Sequence, residues 1–144
     1  MPVRAAEQHD LATTFDRVFG LLLRRILPAG ELSLTAVSTL RRLEMYGPHR
    51  LTDISRLEGV TQPAMTQLVS RLERDGLAQR ATDPQDGRVV LVQITEKGRT
   101  AMRHRREQRA NRLAELMANL TGAERAAIVQ ALPALEKLTE EKAP

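Results

Sequence analysis

Between positions 10 and 27 the apolar residues recur at Leu11, Phe15, Val18, Phe19, Leu22, Leu23, Ile26 and Leu27. That spacing puts them on one stripe of a helix of roughly four to five turns, which Pro28-Ala29-Gly30 ends. A second periodic run, Leu34, Val37, Leu40 and Leu43, begins behind Ser33 as N-cap and closes at Gly47-Pro48. Leu32 and Val37 hold the two positions of a hydrophobic staple around that start. Leu51 then reads as a fragment of strand, and Thr52 as the cap of a short helix to about residue 57, with Asp53 complementing the helix dipole. Glu58-Gly59-Val60 forms a tight turn, and Thr61 caps the next helix, with Val60 and Met65 as its staple. Pro63 lies in the first turn, where its missing N–H costs nothing, and Gly76 is the stop.

Strand-like stretches follow. Residues 77–82 and 88–94 have strand character, and Asp83-Pro84-Gln85-Asp86-Gly87 between them is dense in turn formers. Thr95 opens a long helix to about residue 120. Thr121 and Glu124 then fit a capping box ahead of a last helix carrying Ile128, Val129, Leu132, Leu135 and Leu138 on one side. Pro133 should kink that helix. The order helix, turn, helix, hairpin is that of a winged helix-turn-helix, so the expected fold class is mainly α with a small β-hairpin.

The opposite faces of the helix over 61–75 have different chemistry. Met65, Leu68, Val69 and Leu72 fall within one sector and face the core. The other sector holds Pro63, Gln67, Ser70 and Arg74, flanked by Thr66 and Arg71. A helix that only packs and dissolves usually carries Glu and Lys on its wet side. Amides, hydroxyls and Arg instead match base edges and phosphates. The plainer reading, a solvated polar face, loses ground once the turn before the helix and the hairpin after it are counted. At the hairpin tip Arg88 follows Asp86 and Gly87, and an Arg on a thin loop can enter the minor groove. Phosphate would repel Asp86, so its role is to hold the Arg88 guanidinium or the loop backbone.

Composition narrows the class. The chain has 144 residues, 42% apolar but only 2% aromatic, so the core is aliphatic. It has no Cys, which removes disulfides, thiolate metal sites and cysteine redox switches. No apolar run approaches a membrane span, and the start MPVRAAEQHD lacks a signal peptide's apolar stretch, so a soluble cytoplasmic protein is expected. The net charge of +4 permits a polyanionic partner, yet residues 50–99 carry eight bases against seven acids. Positive charge gathers instead at Arg103, Arg105, Arg106, Arg109 and Arg112. Those five read most simply as a solvated helix face. Alternatively, Arg99, Arg103 and Arg106 form a stripe towards nucleic acid or an acidic ligand. No cofactor or metal is expected, because His9, His49 and His104 are scattered. An enzyme is not expected either, for want of a phosphate loop, clustered His or a carboxylate pair in a plausible pocket.

From Leu34 to Gly98 the chain resembles the MarR family of transcriptional regulators. The resemblance rests on Leu51-Thr52, Val60-Thr61-Gln62, the Leu68, Leu72, Gly76-Leu77 frame, Arg80, and Asp83 with Asp86-Gly87-Arg88. It ends on Ile94-Thr95-Glu96-Lys97-Gly98, and it departs from the common pattern at Pro63 and Ser55. It implies a homodimer in which outer helices over 1–32 and 99–144 interlock, with two winged lobes (33–98) reading a pseudo-palindrome in double-stranded DNA. The broad apolar faces of the outer helices support that dimer independently. Carried over, Thr61, Gln62, Thr66, Gln67, Ser70, Arg71 and Arg74 meet the major groove and its phosphates, and Arg88 with its holder Asp86 the minor groove. The resemblance also implies a repressor released by a small aromatic or phenolic ligand, for which Phe19, Met45, Tyr46 and His49 are the candidates. Alternatives are a regulator without an effector and a winged helix used for protein–protein contact, which an acidic or apolar face would favour.

Overall fold

The computed structural model describes residues 5–27, 29–30 and 32–140; the stop expected at Pro28 lies outside them. Six helices and three short strands follow in chain order. These are α1 (Ala5–Ile26), α2 (Leu34–Tyr46), β1 (His49–Arg50), α3 (Leu51–Leu57), α4 (Gln62–Arg74), β2 (Ala78–Thr82), β3 (Val90–Ile94), α5 (Glu96–Met117) and α6 (Gly122–Thr139). The chain divides into two compact units. Residues 27–108 make one, and the segments up to 26 and from 109 onward make the other.

The first unit carries the core. Leu40, Leu43, Ile54, Met65, Val69, Leu72, Val92 and Met102 are all but inaccessible to solvent. Each such side chain contributes roughly 1.5–3 kcal/mol by leaving water. β3 lies centrally in a three-stranded antiparallel sheet of order β1-β3-β2, with Arg80 opposite Val92 and His49 opposite Val92 on the other side. The third strand is therefore His49–Arg50, and Leu51, expected as a strand fragment, instead begins α3. Thr52 is not the cap of that helix: the preceding residue, Arg50, is still in the strand, and the chain turns into α3 with no side-chain cap. Ser55, unusual for the family pattern, is buried there, and its Oγ donates to the Thr52 carbonyl at 2.9 Å, which satisfies the hydroxyl.

Leu34 also departs from the sequence reading, being 72% exposed. α2 turns Ala36, Thr39, Leu40 and Leu43 inward, and Leu34 sits about 200° around the helix from Ala36. The Ser33 cap stands as expected, its Oγ accepting from the Ala36 N–H at 3.1 Å.

Where α4, β2 and α5 meet, local chemistry explains the sequence. Gly76 ends α4 at φ +74°, a conformation that other residues resist. The Thr95 hydroxyl donates to the Gly76 carbonyl and accepts the Gly98 N–H at 3.0 Å, so it caps α5 and ties its start to the end of α4. A Cβ on Gly98 would lie 2.2 Å from the Leu77 carbonyl oxygen, which is why only glycine fits.

In the other unit, the capping box of α6 is present: Thr121 Oγ1 accepts the Glu124 N–H at 3.2 Å and Glu124 Oε2 accepts the Thr121 N–H at 2.7 Å. α6 runs as one helix through Pro133. No residue of α1 or α6 is buried. Among the described residues, no helix is long and apolar enough to cross a membrane.

Candidate nucleic-acid interface

α3 and α4 are joined by a turn that a part-buried ion pair steadies. Arg42 Nε of α2 donates to Glu58 Oε1 at 2.9 Å, and the Glu58 side chain is only 7% exposed. Breaking one partner of such a pair leaves a buried charge, so the turn is held in one geometry. Thr61 then caps α4, its Oγ1 accepting from the Ala64 N–H at 3.3 Å. Met65, Val69 and Leu72 clamp the helix to the core, while Leu68, expected inside with them, is half-buried at the margin.

The outer face of α4 is open. Gln62, Thr66, Gln67, Ser70, Arg71 and Arg74 are all at least partly exposed. Gln62, Gln67, Arg71 and Arg74 have no side-chain partner among the described residues. Thr66 donates its hydroxyl proton to the Gln62 carbonyl at 2.9 Å. Ser70 is different, because Arg80 Nη2 approaches its Oγ at 3.5 Å. Arg80 also pairs with the Glu73 carboxylate, which accepts the Arg80 backbone N–H at 3.0 Å as well. Arg80, absent from the sequence-derived site, thus ties the base of the hairpin to the last turns of α4. Strand alternation puts it on the face of β2 opposite Gln79 and Ala81, and that was the signal available.

The hairpin tip is built by two aspartates acting on backbone. Asp83 Oδ1 accepts from the Gln85 N–H at 2.9 Å, and Asp86 Oδ1 from the Arg88 N–H at 3.1 Å. Of the two roles expected for Asp86, the structure shows the backbone one. The Arg88 guanidinium is exposed with no partner among the described residues. Sequence reasoning also passed over Ser33 and Thr35 as site residues. Both border a shallow hollow of about 230 Å³ that Gln67, Leu68 and Arg71 line from α4.

The Arg stripe on α5 has an acidic partner within the chain. Arg106 Nη1 donates to Glu44 Oε2 of α2 at 2.8 Å. That hydrogen bond, with the charges of Arg106, Arg99 and Arg103, holds the Glu44 carboxyl below its usual range against a smaller opposing desolvation. Of the ligand candidates, Phe19 stacks on Phe15 at 5.9 Å in one unit. Met45 and Tyr46 are exposed in the other, where His49 Nδ1 lies 2.7 Å from the Gly47 carbonyl oxygen. None of these four lines the hollow beside α4. No group of three His or acidic residues that could hold a metal occurs among the described residues.

Residues 32–90 match the model of the MarR family. An HTH-type transcriptional regulator of Mycobacterium bovis is 32% identical over 114 residues, covering 79% of this chain and 80% of that protein. Among solved structures, the transcriptional regulator Tm0710 from Thermotoga maritima superposes with a TM-score of 0.76 at 25% identity, over 90% of this chain and 94% of that one. Rv1404 from Mycobacterium tuberculosis gives 0.74 at 26% identity, over 99% and 100%. Relatives that are transcriptional regulators, matched over most of their length, and a winged helix-turn-helix with an open polar face agree. The chain belongs to the MarR family of helix-turn-helix transcriptional regulators.

Proposed function

We propose that this regulator is a homodimeric, cytoplasmic repressor that grips a pseudo-palindromic operator in double-stranded DNA, with α4 of each protomer in the major groove and the hairpin tip in the adjacent minor groove. The observation that carries this is the row of unpartnered Gln62, Gln67, Arg71 and Arg74 beside an equally unpartnered Arg88. Amides and guanidinium groups left without internal acceptors are the groups that pair with base edges and phosphate. Thr61 and Thr66 add a phosphate contact and a methyl contact. Ser70 acts through Arg80, which it meets at the foot of the wing. Asp86 shapes the loop that presents Arg88.

The dimer is supported by what α1 and α6 leave uncovered. Leu11, Val18, Phe19, Val129 and Leu138 are each about half exposed or more. Such apolar area on two long helices suits a self-complementary interface, which would set two α4 helices one DNA turn, roughly 34 Å, apart. A small-molecule effector that loosens DNA belongs to the same reading; of its candidate contacts, Met45, Tyr46 and His49 belong to the unit 27–108 and Phe19 to the other.

The test is selection of bound sites from random DNA, followed by affinity against salt for Arg88→Ala. The variant should bind more weakly and lower the salt slope by about 1, as expected for one lost phosphate-region cation. Unchanged affinity and slope would remove the wing from the interface. Failure to enrich any sequence, with a protein partner co-purifying, would move the module to protein recognition.

A further inference from the structure

The hairpin and α4 are joined by more than the chain that links them. The hairpin is stiff along its own length. Its residue pairs run from Ala78 opposite Ile94 to Thr82 opposite Val90, and beyond them the Asp83 N–H donates to the Val89 carbonyl at 2.9 Å. What this ladder leaves open is the angle of the whole hairpin to α4. The link between the two is short, residues 75–77, and passes through Gly76 at φ +74°. On the other edge of β3, β1 backs the hairpin only as far as Leu91, where Arg50 pairs.

Arg80 closes the joint on the α4 side. It stands opposite Val92, on the same rung of the sheet as His49. Three of its donors point to the last turns of α4. Its backbone N–H donates to Glu73 Oε1 at 3.0 Å and its Nη1 to Glu73 Oε2, while Nη2 approaches Ser70 Oγ at 3.5 Å. Glu73 thus commits both carboxylate oxygens to one residue of the hairpin. The pair is part-exposed, 35% for the Arg80 side chain and 27% for that of Glu73, so solvent screens it and its contribution to stability is small. Its geometric effect is larger. Thr82, the last paired residue of β2, lies two residues past this tie, about 7 Å, and the tip with Arg88 extends further still. Any play at Arg80 is therefore magnified at Arg88.

We propose that Arg80 is a positioning residue: held by Glu73 and Ser70, it fixes the angle between wing and α4 so that Arg88 and the outer face of α4 meet one DNA duplex together. This rests on the functional reading above. Two contacts on one ligand reinforce each other when their separation is held, and a slack joint makes the second contact bear the entropy of ordering.

The test uses the full chain and the duplex that the wild type selects from random DNA. The ratio by which Arg88→Ala raises the dissociation constant is measured in three backgrounds: wild type, Glu73→Gln and Arg80→Gln. Glu73→Gln removes a negative charge and Arg80→Gln a positive one, so an effect they share does not come from charge. In wild type the ratio should be about tenfold or more, as for a charge-assisted hydrogen bond. In both loosened backgrounds it should fall to about threefold or less, with Tm close to that of wild type. A ratio undiminished in either background overturns the proposal, and a fall in only one of them, as charge alone would give, is such a result. Should Arg88→Ala have no effect in wild type, the functional reading of the wing fails first, and the tie has nothing to position.

Discussion

The two units of this chain use the same kind of residue to opposite ends. In residues 27–108, aliphatic side chains from α2, α3, α4, the sheet and the start of α5 close on one another until Leu40, Ile54, Met65 and Val92 are shut off from water. In the other unit, α1 and α6 carry comparable stripes and bury none of them; Leu11 remains 67% exposed and Val129 64%. The first unit finishes its own core. The second leaves its apolar stripes on the surface, and the proposed dimer rests on that exposure.

Substitutions should separate the two units. Leu40→Ala is expected to cost about 2–5 kcal/mol in urea denaturation, the transfer term plus the cavity it leaves. Val129→Ala, at protein concentrations low enough to hold the chain as monomer, should stay within about 0.5 kcal/mol. Comparable losses for both would mean that the outer helices are packed internally after all. Phe15→Glu should act on association instead. In sedimentation equilibrium the dimer dissociation constant is expected to rise by about a hundredfold or more, corresponding to the roughly 3 kcal/mol or more of a lost buried aromatic contact. Circular dichroism should change little, and an undiminished dimer would show that the exposed stripe of α1 is not the interface.

On the open face of the first unit, Gln67→Ala should alter base preference at one position per half-site by about 1–3 kcal/mol in a randomised-site selection. It should leave stability unchanged, because Gln67 holds nothing inside the protein. The smallest effect concerns the link from α2 to α5. The Glu44 carboxyl has a lowered pKa in the folded chain because of its hydrogen bond from Arg106 and the surrounding Arg charges. It therefore adds stability above the unfolded value near 4.5, and that stability is lost as the pH falls through the lower folded value. The difference in Tm between wild type and Glu44→Gln should be full at neutral pH and close on acidification. A difference that stays constant with pH would assign the pair no electrostatic role.

Much of this molecule is readable from local signals. The caps at Ser33, Thr61 and Thr121 formed where the residues placed them, because each uses a backbone N–H within three residues and depends on nothing distant. Met65, Val69 and Leu72 went inside because helical spacing alone puts them on one face. The misplacements all involve partners far along the chain. His49–Arg50 became a strand only because β3, some forty residues later, offered an edge, and that in turn removed Thr52 from its capping position. Leu34 looked like core because its run was periodic, yet the core met α2 on the side centred between Ala36 and Leu43, which keeps Leu40 and Leu43 of that run inside and leaves Leu34 out.

The candidate site divides the same way. Sequence by itself determined which helix is capped, which of its residues are amphipathic partners and which polar groups remain for something outside, since those follow from 3.6-residue geometry and hydrogen-bond chemistry. Only the tertiary structure decided that Arg80 reaches back to Glu73 and Ser70, that Arg106 is spent on Glu44, and that Arg105 Nε is buried without an acceptor. Whether an Arg is free or engaged depends on what chain folding brings within about 3 Å of it. A long side chain of many rotamers leaves no trace of that choice in its neighbours along the sequence.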